Sequence, residues 1–343
     1  MKRIHASVLS GLSAFALSCG STALAQTTLT ITSWAPLRHM MTREVTMGWA
    51  ADVEKASNGR LKFQLLAKHP VAAPGTFDAV AQGLVDVGYT APNYTPARHL
   101  LTQLGELPGG GATSEINSVA YNRIHWKYLQ QAGEFKGVKL LGVFTHGPGQ
   151  MFNTKRPINS AADLKGLKIR TGGGVGEKIA QAFGAASFLK PAPESFELLS
   201  TGVADGVFFP VESVTSFNLE KVIKYGTLFP GGFYNQGFAF MMNEGKWNSL
   251  SKQDQEAIMS VSGEHLARLA GKGWDKADRN AAEILKSTGV QMAPASAQLL
   301  KDAQVATGAI LDDWKKQATA KGVDGARVYA EFHEELKRVA AGK

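Results

Sequence analysis

FDAVAQGLVDVGYTAP, residues 77–92, and FELLSTGVADGVFFP, residues 196–210, carry the same order of residue types. Each opens on an aromatic and an acid, Phe77-Asp78 and Phe196-Glu197. Each then has a glycine six positions after the aromatic (Gly83, Gly202), an aspartate three further on (Asp86, Asp205), and an apolar strand ending at proline. Glycine readily takes the left-handed conformation that stops a helix, so each stretch reads as a short helix, a turn and a buried strand. Helix, glycine and strand recur in any α/β protein, and that accounts for one such match. The repeat predicts more: two similar lobes, each offering the C-terminal ends of its strands to a shared crevice, where open α/β sheets bind ligands. Tyr89, Thr90, Asn93 and Tyr94 would come from one lobe, and Val207, Phe208 and Phe209 from the other.

Outward from this pair, strands are predicted at 29–34, 61–65, 85–89, 138–144, 167–170, 187–189, 207–209 and 238–242. Helices are predicted at 40–57, 77–82, 115–132, 177–183 and 195–201. Strand and helix alternate, which points to a mostly parallel sheet covered on both faces. From Ser251 to Ser287 there is no proline, and Ile258, Val261, Leu266, Leu269 and Trp274 keep a helical spacing. A continuous helix there would run about 55 Å, enough to cross both lobes. Gly263, Gly271 and Gly273 each weaken it by roughly 1 kcal/mol against alanine, which places a kink or break near Gly271. Helices at 297–320 and 326–341 close the chain.

The N-terminus reads as a secretory signal: Lys2 and Arg3, an apolar run, then Ala23-Leu24-Ala25 before Gln26, with cleavage expected after Ala25. A lipoprotein anchored at Cys19 is the alternative, and Ala16-Leu17-Ser18 lacks the leucine usual three places before such a cysteine. Cys19 is the single cysteine of the 343 residues, so the mature chain has no disulfide, thiolate nucleophile or thiolate metal site. No later stretch approaches the roughly 18 uncharged apolar residues that cross a bilayer, so a soluble periplasmic protein is expected. The formal charge of +8 falls to +6 without Lys2 and Arg3, and the excess is scattered without interleaved aromatics. That is a mild bias toward anions and excludes a nucleic-acid footprint.

Motifs for chemistry are sparse. GGGVGEK at 172–178 fails the G-x-G-x-x-G pattern, because Glu177 stands at its last position, and fails the phosphate-loop spacing as well. The histidines, among them His39, His69, His99 and His146, form no HExxH and no close pair, and are expected to be surface or locally hydrogen-bonded residues. There is no G-x-S-x-G elbow. No metal and no cofactor are expected. An enzyme acting on carboxylates would need a general base such as Asp86, Asp205 or Glu212, without the histidine and serine motifs that usually accompany one.

Arg170 stands out in LKGLKIRTGGGVG (164–176), at the mouth of an apolar run and just before glycines. A guanidinium meets a carboxylate through two parallel hydrogen bonds and keeps its charge at any physiological pH. The glycines let ligand or hinge backbone approach closely. Two readings stay open: an anchor for an anionic ligand, or a strand-end arginine paired with a neighbouring acid.

The stretch DLKGLKIRTGGGVGEKIAQAFGAASFLKPAPESFELLSTGVADGVFFP (163–210) resembles the central signature of the solute-binding proteins of TRAP transporters, the tripartite ATP-independent periplasmic systems. The resemblance extends through FNTKRPINSAADLKG (152–166), NLEKVIKYGT (218–227) and MMNEGKWNSLSKQDQEAI (241–258), and so over nearly the whole mature chain. It implies an α/β, two-lobe periplasmic binding protein fold with a ligand cleft between the lobes and a long helix bridging both. The implied limits are a signal peptide at 1–25, lobe I at 26–147 plus about 237–275, and lobe II with the C-terminal helices at 148–236 plus about 276–343.

The same resemblance makes Arg170 the carboxylate anchor, with the ligand against Trp34, Tyr89, Asn93, Phe208 and Phe209, and Tyr234, Asn235 and Phe238 approaching from a crossing segment. It implies a non-enzymatic monomer that captures a small organic acid and delivers it to the small and large permease subunits in the membrane, driven by an ion gradient. Two departures bear on the ligand. Phe209 stands where dicarboxylate and sialic acid binders carry asparagine, and Gly149 or Gln150 stands where they carry a second arginine. One cation and an added aromatic favour a monocarboxylate with an apolar or aromatic body over a C4-dicarboxylate or sugar acid. The binding protein of an ATP-driven importer would share the lobes but not the residues around Arg170.

Overall fold

The computed structural model describes residues 26–343, so the predicted signal peptide and Cys19 lie outside the described residues. The repeated unit appears twice, as read. Helices Thr76–Ala81 and Ser195–Ser200 stop at Gly83 and Gly202, both at φ 74°, and lead into the strands β3 (Val87–Thr90) and β8 (Gly206–Phe209). Each helix is preceded by a matching tight turn, Ala73–Gly75 or Ala192–Glu194.

The two aspartates of the repeat do the same work in each lobe. Asp86 accepts from the backbone N–H of Thr30 at 2.7 Å, on β1 (Thr27–Ile31). Asp205 accepts from Lys168 N–H at 2.9 Å, on β6 (Lys168–Thr171). Each carbonyl in turn receives an N–H from a chain crossing between lobes, Asn243 on Asp86 at 2.8 Å and Thr154 on Asp205 at 2.9 Å. Both carboxylates are thereby committed to tying strands together.

The remaining strands complete two sheets of matching order. β2 (Leu61–Leu65), β1, β3, β10 (Gly237–Asn243) and β4 (Val138–Thr145) form the first. β7 (Ala186–Leu189), β6, β8, β5 (Gln150–Asn153), β9 (Tyr225–Leu228) and β11 (Gln291–Pro294) form the second. In each, three parallel strands are followed by one antiparallel strand delivered from the other lobe: β10 pairs antiparallel with β3, and β5 with β8. The chain therefore crosses from β4 to β5 and back from β9 to β10. The crossings lie side by side, with His146 N–H donating to Gln236 O (3.1 Å) and Gly149 N–H to Tyr234 O (2.9 Å).

β5, β9 and β11 are absent from the sequence reading, because four-residue strands such as QMFN or YGTL are too short to show alternation. The long C-terminal stretch divides as well, at a different glycine from the one expected. One helix spans Lys252–Ser260, and the next spans Glu264–Leu285 from Gly263 at φ 57°. Gly271 and Gly273 sit inside this 22-residue helix, about 33 Å long. They are there for close approach: a Cβ on Gly271 would meet the backbone of Glu115, and one on Gly273 would meet Met40 at 2.6 Å.

This bridging helix touches both lobes. Leu266, Ala270 and Trp274 pack into the first lobe's core, and Leu285 packs into that of the second. Asp275 accepts from Ser114 and Glu115 N–H (2.7 and 3.1 Å), at the start of the lobe I helix Ser114–Ile124. One turn later Asp278 accepts from Glu212 N–H at 2.7 Å, in the lobe II helix Val211–Ser216. Near the C-terminus, helix Ala297–Ala320 donates from Trp314 Nε1 to Leu100 O, and Gly325–Ala340 places Glu335 against Arg123 at 2.6 Å.

Candidate functional site

Arg170 occupies the C-terminal half of β6, a strand paired on both sides, with Phe188 and Val207 as its register partners. Its residue is 1% exposed. The guanidinium Nε donates to Lys190 O at 2.8 Å, and its carbon lies 4.5 Å over the ring of Phe209. Nη2 is buried without a partner. Among the described residues no carboxylate stands within 4.0 Å of it as an ion-pair partner. Of the two open readings, the paired strand-end arginine is thus set aside. Burial pulls this group below arginine's usual range, opposed by the nearby Tyr94 and Tyr234 hydroxyls. A guanidinium starts so high that it stays charged.

Beside it lies a narrow recess between the lobes, with about 20 Å³ of free volume. Trp34, Phe238 and Trp274 wall it from lobe I and the bridging helix, and Phe209 and Phe217 from lobe II. Phe238 stacks on Trp274 (6.2 Å, 14°), and Phe209 stacks on Phe217 (5.8 Å, 15°). His39, His146 and Gln236 add polar atoms. The indole N–H groups of Trp34 and Trp274 and the Nε2 of His146 are buried there without partners. An unsatisfied buried polar atom is costly in a folded chain, so several of them around one recess mark a place where a ligand completes the hydrogen bonding.

The predicted site residues separate into three groups. Trp34, Phe209 and Phe238 line the recess, and Arg170 stands behind Phe209. Tyr89 lies one layer back, its ring 5.1 Å from Trp34 and its hydroxyl held by Ser33 Oγ at 3.0 Å. Asn93 packs on the glycine loop: a Cβ on Gly172 would meet its Nδ2 at 2.8 Å, and one on Gly173 its carbonyl at 2.6 Å. Those glycines permit lobe-to-lobe contact.

Phe208 and Asn235 are corrections. Alternation along β8 points Phe208 away from Phe209, into the core against Phe233 (4.8 Å) and Tyr234 (6.1 Å). Asn235 turns to the crossing backbone: with its amide oriented to satisfy its neighbours, the nitrogen donates to His146 O (3.3 Å) and Gly147 O (3.2 Å) and the oxygen accepts from Asn117 (3.1 Å). Tyr234 fills the space beside Gly149, where a Cβ would collide with the edge of its ring and with its backbone oxygen. That explains why no second arginine stands at position 149. Gln150, the neighbouring position, is engaged with both the N–H and the carbonyl of Phe229.

The histidines follow the second branch of the expectation: His39, His99 and His146 are buried and locally hydrogen-bonded, to Met41 N–H, Thr95 Oγ1 and Gly147 O. His39 donates toward Glu212 at 3.4 Å, its Nδ1 accepting from Met41 N–H, so Glu212 is occupied by His39, Ser213 and Ser216. His146, Gln236 and Trp274 escaped the sequence reading as site residues. Trp274 looked like one more apolar position on a helix, and the only signal for His146 was a lone polar residue closing an apolar strand at Thr145-His146-Gly147.

Glu106 sits where lobe I meets the helix Gly174–Ala182, accepting from Val175 N–H at 3.1 Å. Burial lifts its carboxyl from 4.5 to about 8, against the opposing pull of that N–H and of Lys178. The folded protein therefore holds a proton that the unfolded chain releases, so stability is full below about 4.5 and falls as pH rises through about 8. Glu106→Gln keeps an acceptor and cannot ionise. Its melting temperature relative to the parent should rise between about pH 6 and about pH 9. Parallel melting curves across that range would refute this.

A family model described as bacterial extracellular solute-binding protein, family 7, matches residues 32–317. The chain belongs to this family. The match agrees with the resemblance carried by the residues around Arg170, and the two-lobe fold is shared with solved structures of the same kind. One is a TRAP periplasmic solute binding protein from Bordetella bronchiseptica with bound (R)- and (S)-mandelate; it is 43% identical, with a TM-score of 0.89 over 91% of this chain and 99% of that one. Another is a TRAP solute binding protein from a marine metagenome, from an unidentified microbe, specific for aromatic acid ligands and in complex with metahydroxyphenylacetate. It is 30% identical, with a TM-score of 0.85 over 91% of this chain and 99% of that one. Among curated relatives, the outer membrane transporter protein TsaT of Comamonas testosteroni is 28% identical over 87% of this chain and 88% of its own length. Both solved structures are of solute-binding proteins, and no helix among the described residues is long and apolar enough to cross a membrane.

Proposed function

We propose that this protein is the periplasmic receptor of a TRAP transporter and that its ligand is a monocarboxylate with an aromatic body. The observation that carries the reading is Arg170: a buried guanidinium, without an acid partner, stacked on Phe209 at the edge of an aromatic recess. The ligand's carboxylate takes the guanidinium and the indole N–H groups, and its ring takes Trp34, Phe209 and Phe238. Closure over the acid excludes water and strengthens these charge-assisted bonds. The lobes, 26–147 with about 237–275 and 148–236 with the remainder, move about the paired crossings as a hinge. A monomer in the closed form then docks on the small and large membrane subunits, and no covalent step occurs. The aromatic acids held by the 43% and 30% identical proteins support this reading.

A C4-dicarboxylate would need a second cation. Arg170 reaches the recess only past Phe209, and among the described residues no lysine or arginine lines the recess to serve as the second. Calorimetric titration with mandelate and with succinate tests the proposal, and Trp34 and Trp274 supply an independent fluorescence signal. Binding of mandelate without binding of succinate is expected. Tight succinate binding with no aromatic acid bound overturns it.

A further inference from the structure

His146 opens the first crossing, directly after β4. Its Nδ1 lies 2.5 Å from the carbonyl oxygen of Gly147. A carbonyl only accepts, so Nδ1 carries the ring proton. The ring is enclosed by Tyr234 (5.4 Å), Trp274 (5.9 Å) and Phe238 (6.5 Å). That burial pushes its pKa down to about 4, so the imidazole is neutral at physiological pH. Nε2 is then a bare lone pair, buried on the recess wall and without a partner.

Of the other unpartnered groups near the ligand's place, Arg170 Nη2, Trp34 Nε1 and Trp274 Nε1 are donors; the acceptor Asn93 Oδ1 belongs to a side chain packed on the glycine loop and not to the recess wall. A carboxylate satisfies donors and leaves a lone pair facing its own negative charge. We infer that His146 Nε2 selects acids that carry a hydroxyl beside the carboxylate, the O–H donating to Nε2, and discriminates against 2-oxo and unsubstituted aryl acids. This rests on the reading of the recess as an aromatic-acid site and assigns the chemistry of its second polar contact. A ligand without a donor leaves a buried acceptor unsatisfied, which is expected to weaken binding by about 10- to 100-fold.

The test is a calorimetric series of mandelate, phenylglyoxylate and phenylacetate on the parent protein and on His146→Phe. On the parent, mandelate should bind tighter than both analogues. On His146→Phe the ranking should collapse, through loss of mandelate affinity with phenylacetate little changed. Equal affinities on the parent, or a preference that survives in His146→Phe, overturn the inference while leaving the aromatic-acid reading intact. If none of the three binds, that reading fails and the inference falls with it. Nitrogen NMR of the imidazole provides a readout that needs no variant. Nε2 should be unprotonated in the free protein and shift on addition of mandelate but not of phenylacetate, and a protonated Nε2 would refute the assignment.

Discussion

Arg170→Met is expected to lose most of the affinity for an aromatic acid while the free protein melts at the same temperature or higher. The guanidinium is buried on every side, held by one hydrogen bond to Lys190 O, the neighbouring Tyr94 hydroxyl and a stack on Phe209. With no acid to neutralise it, the charge is a cost to the empty protein, because burying an ion is expensive unless it is paired. An unbranched apolar side chain of similar length fills the space and removes that cost. Binding suffers in the opposite direction. Removing one partner of a buried, hydrogen-bonded charge pair commonly costs about 2–5 kcal/mol, so the dissociation constant should rise roughly 30-fold to several thousand-fold. Calorimetric titration reads the first quantity and scanning calorimetry the second. A variant that unfolds would show that Arg170 holds the fold, and one that binds mandelate normally would show that it does not hold the ligand.

Gly271→Ala should be the most damaging of the small substitutions. Alanine improves an exposed helix position by about 1 kcal/mol over glycine. Here the added methyl would meet the backbone of the neighbouring helix, with Glu115 N at 2.7 Å and Ser114 C at 3.0 Å. Backbone cannot rotate aside as a side chain does. The helices must separate, which also draws Asp275 away from the Ser114 and Glu115 N–H groups it caps. The net cost is expected to be about 2–3 kcal/mol, a fall in melting temperature of roughly 5 °C or more. Gly308→Ala in helix Ala297–Ala320 is the matched control, since its methyl would meet nothing within 4 Å and should stabilise by about 1 kcal/mol. Equal effects of the two substitutions would show that the close approach at Gly271 is unimportant.

The contrast between these glycines marks how far the chain can be read without coordinates. Gly83 and Gly202 were legible because a local rule governs them: a glycine six residues into a helical pattern, with an apolar strand behind it, stops the helix whatever surrounds it. Gly271 obeyed a rule of contact and not of conformation, so it was misread as the break, which falls at Gly263 instead. Phe208 and Phe209 show the same limit from another side. Sequence put both at a strand end near the cleft, and only the orientation of β8 within its sheet chose which one faces it.

The amino-acid sequence by itself determined the doubled unit, the alternation of strand and helix, and one arginine at a strand end beside glycines. Each of these depends on residues within about fifteen positions of one another, where periodicity and turn chemistry act. Tertiary structure alone decided which polar atoms are left without partners. Arg170 has no ion-pair partner because no acid among the described residues reaches it, and His146 Nε2 is bare because Tyr234, Phe238 and Trp274, all far along the chain, exclude water from it. Satisfaction of a hydrogen bond is a property of everything packed around an atom, and that packing exists only once the two lobes and the bridging helix have met.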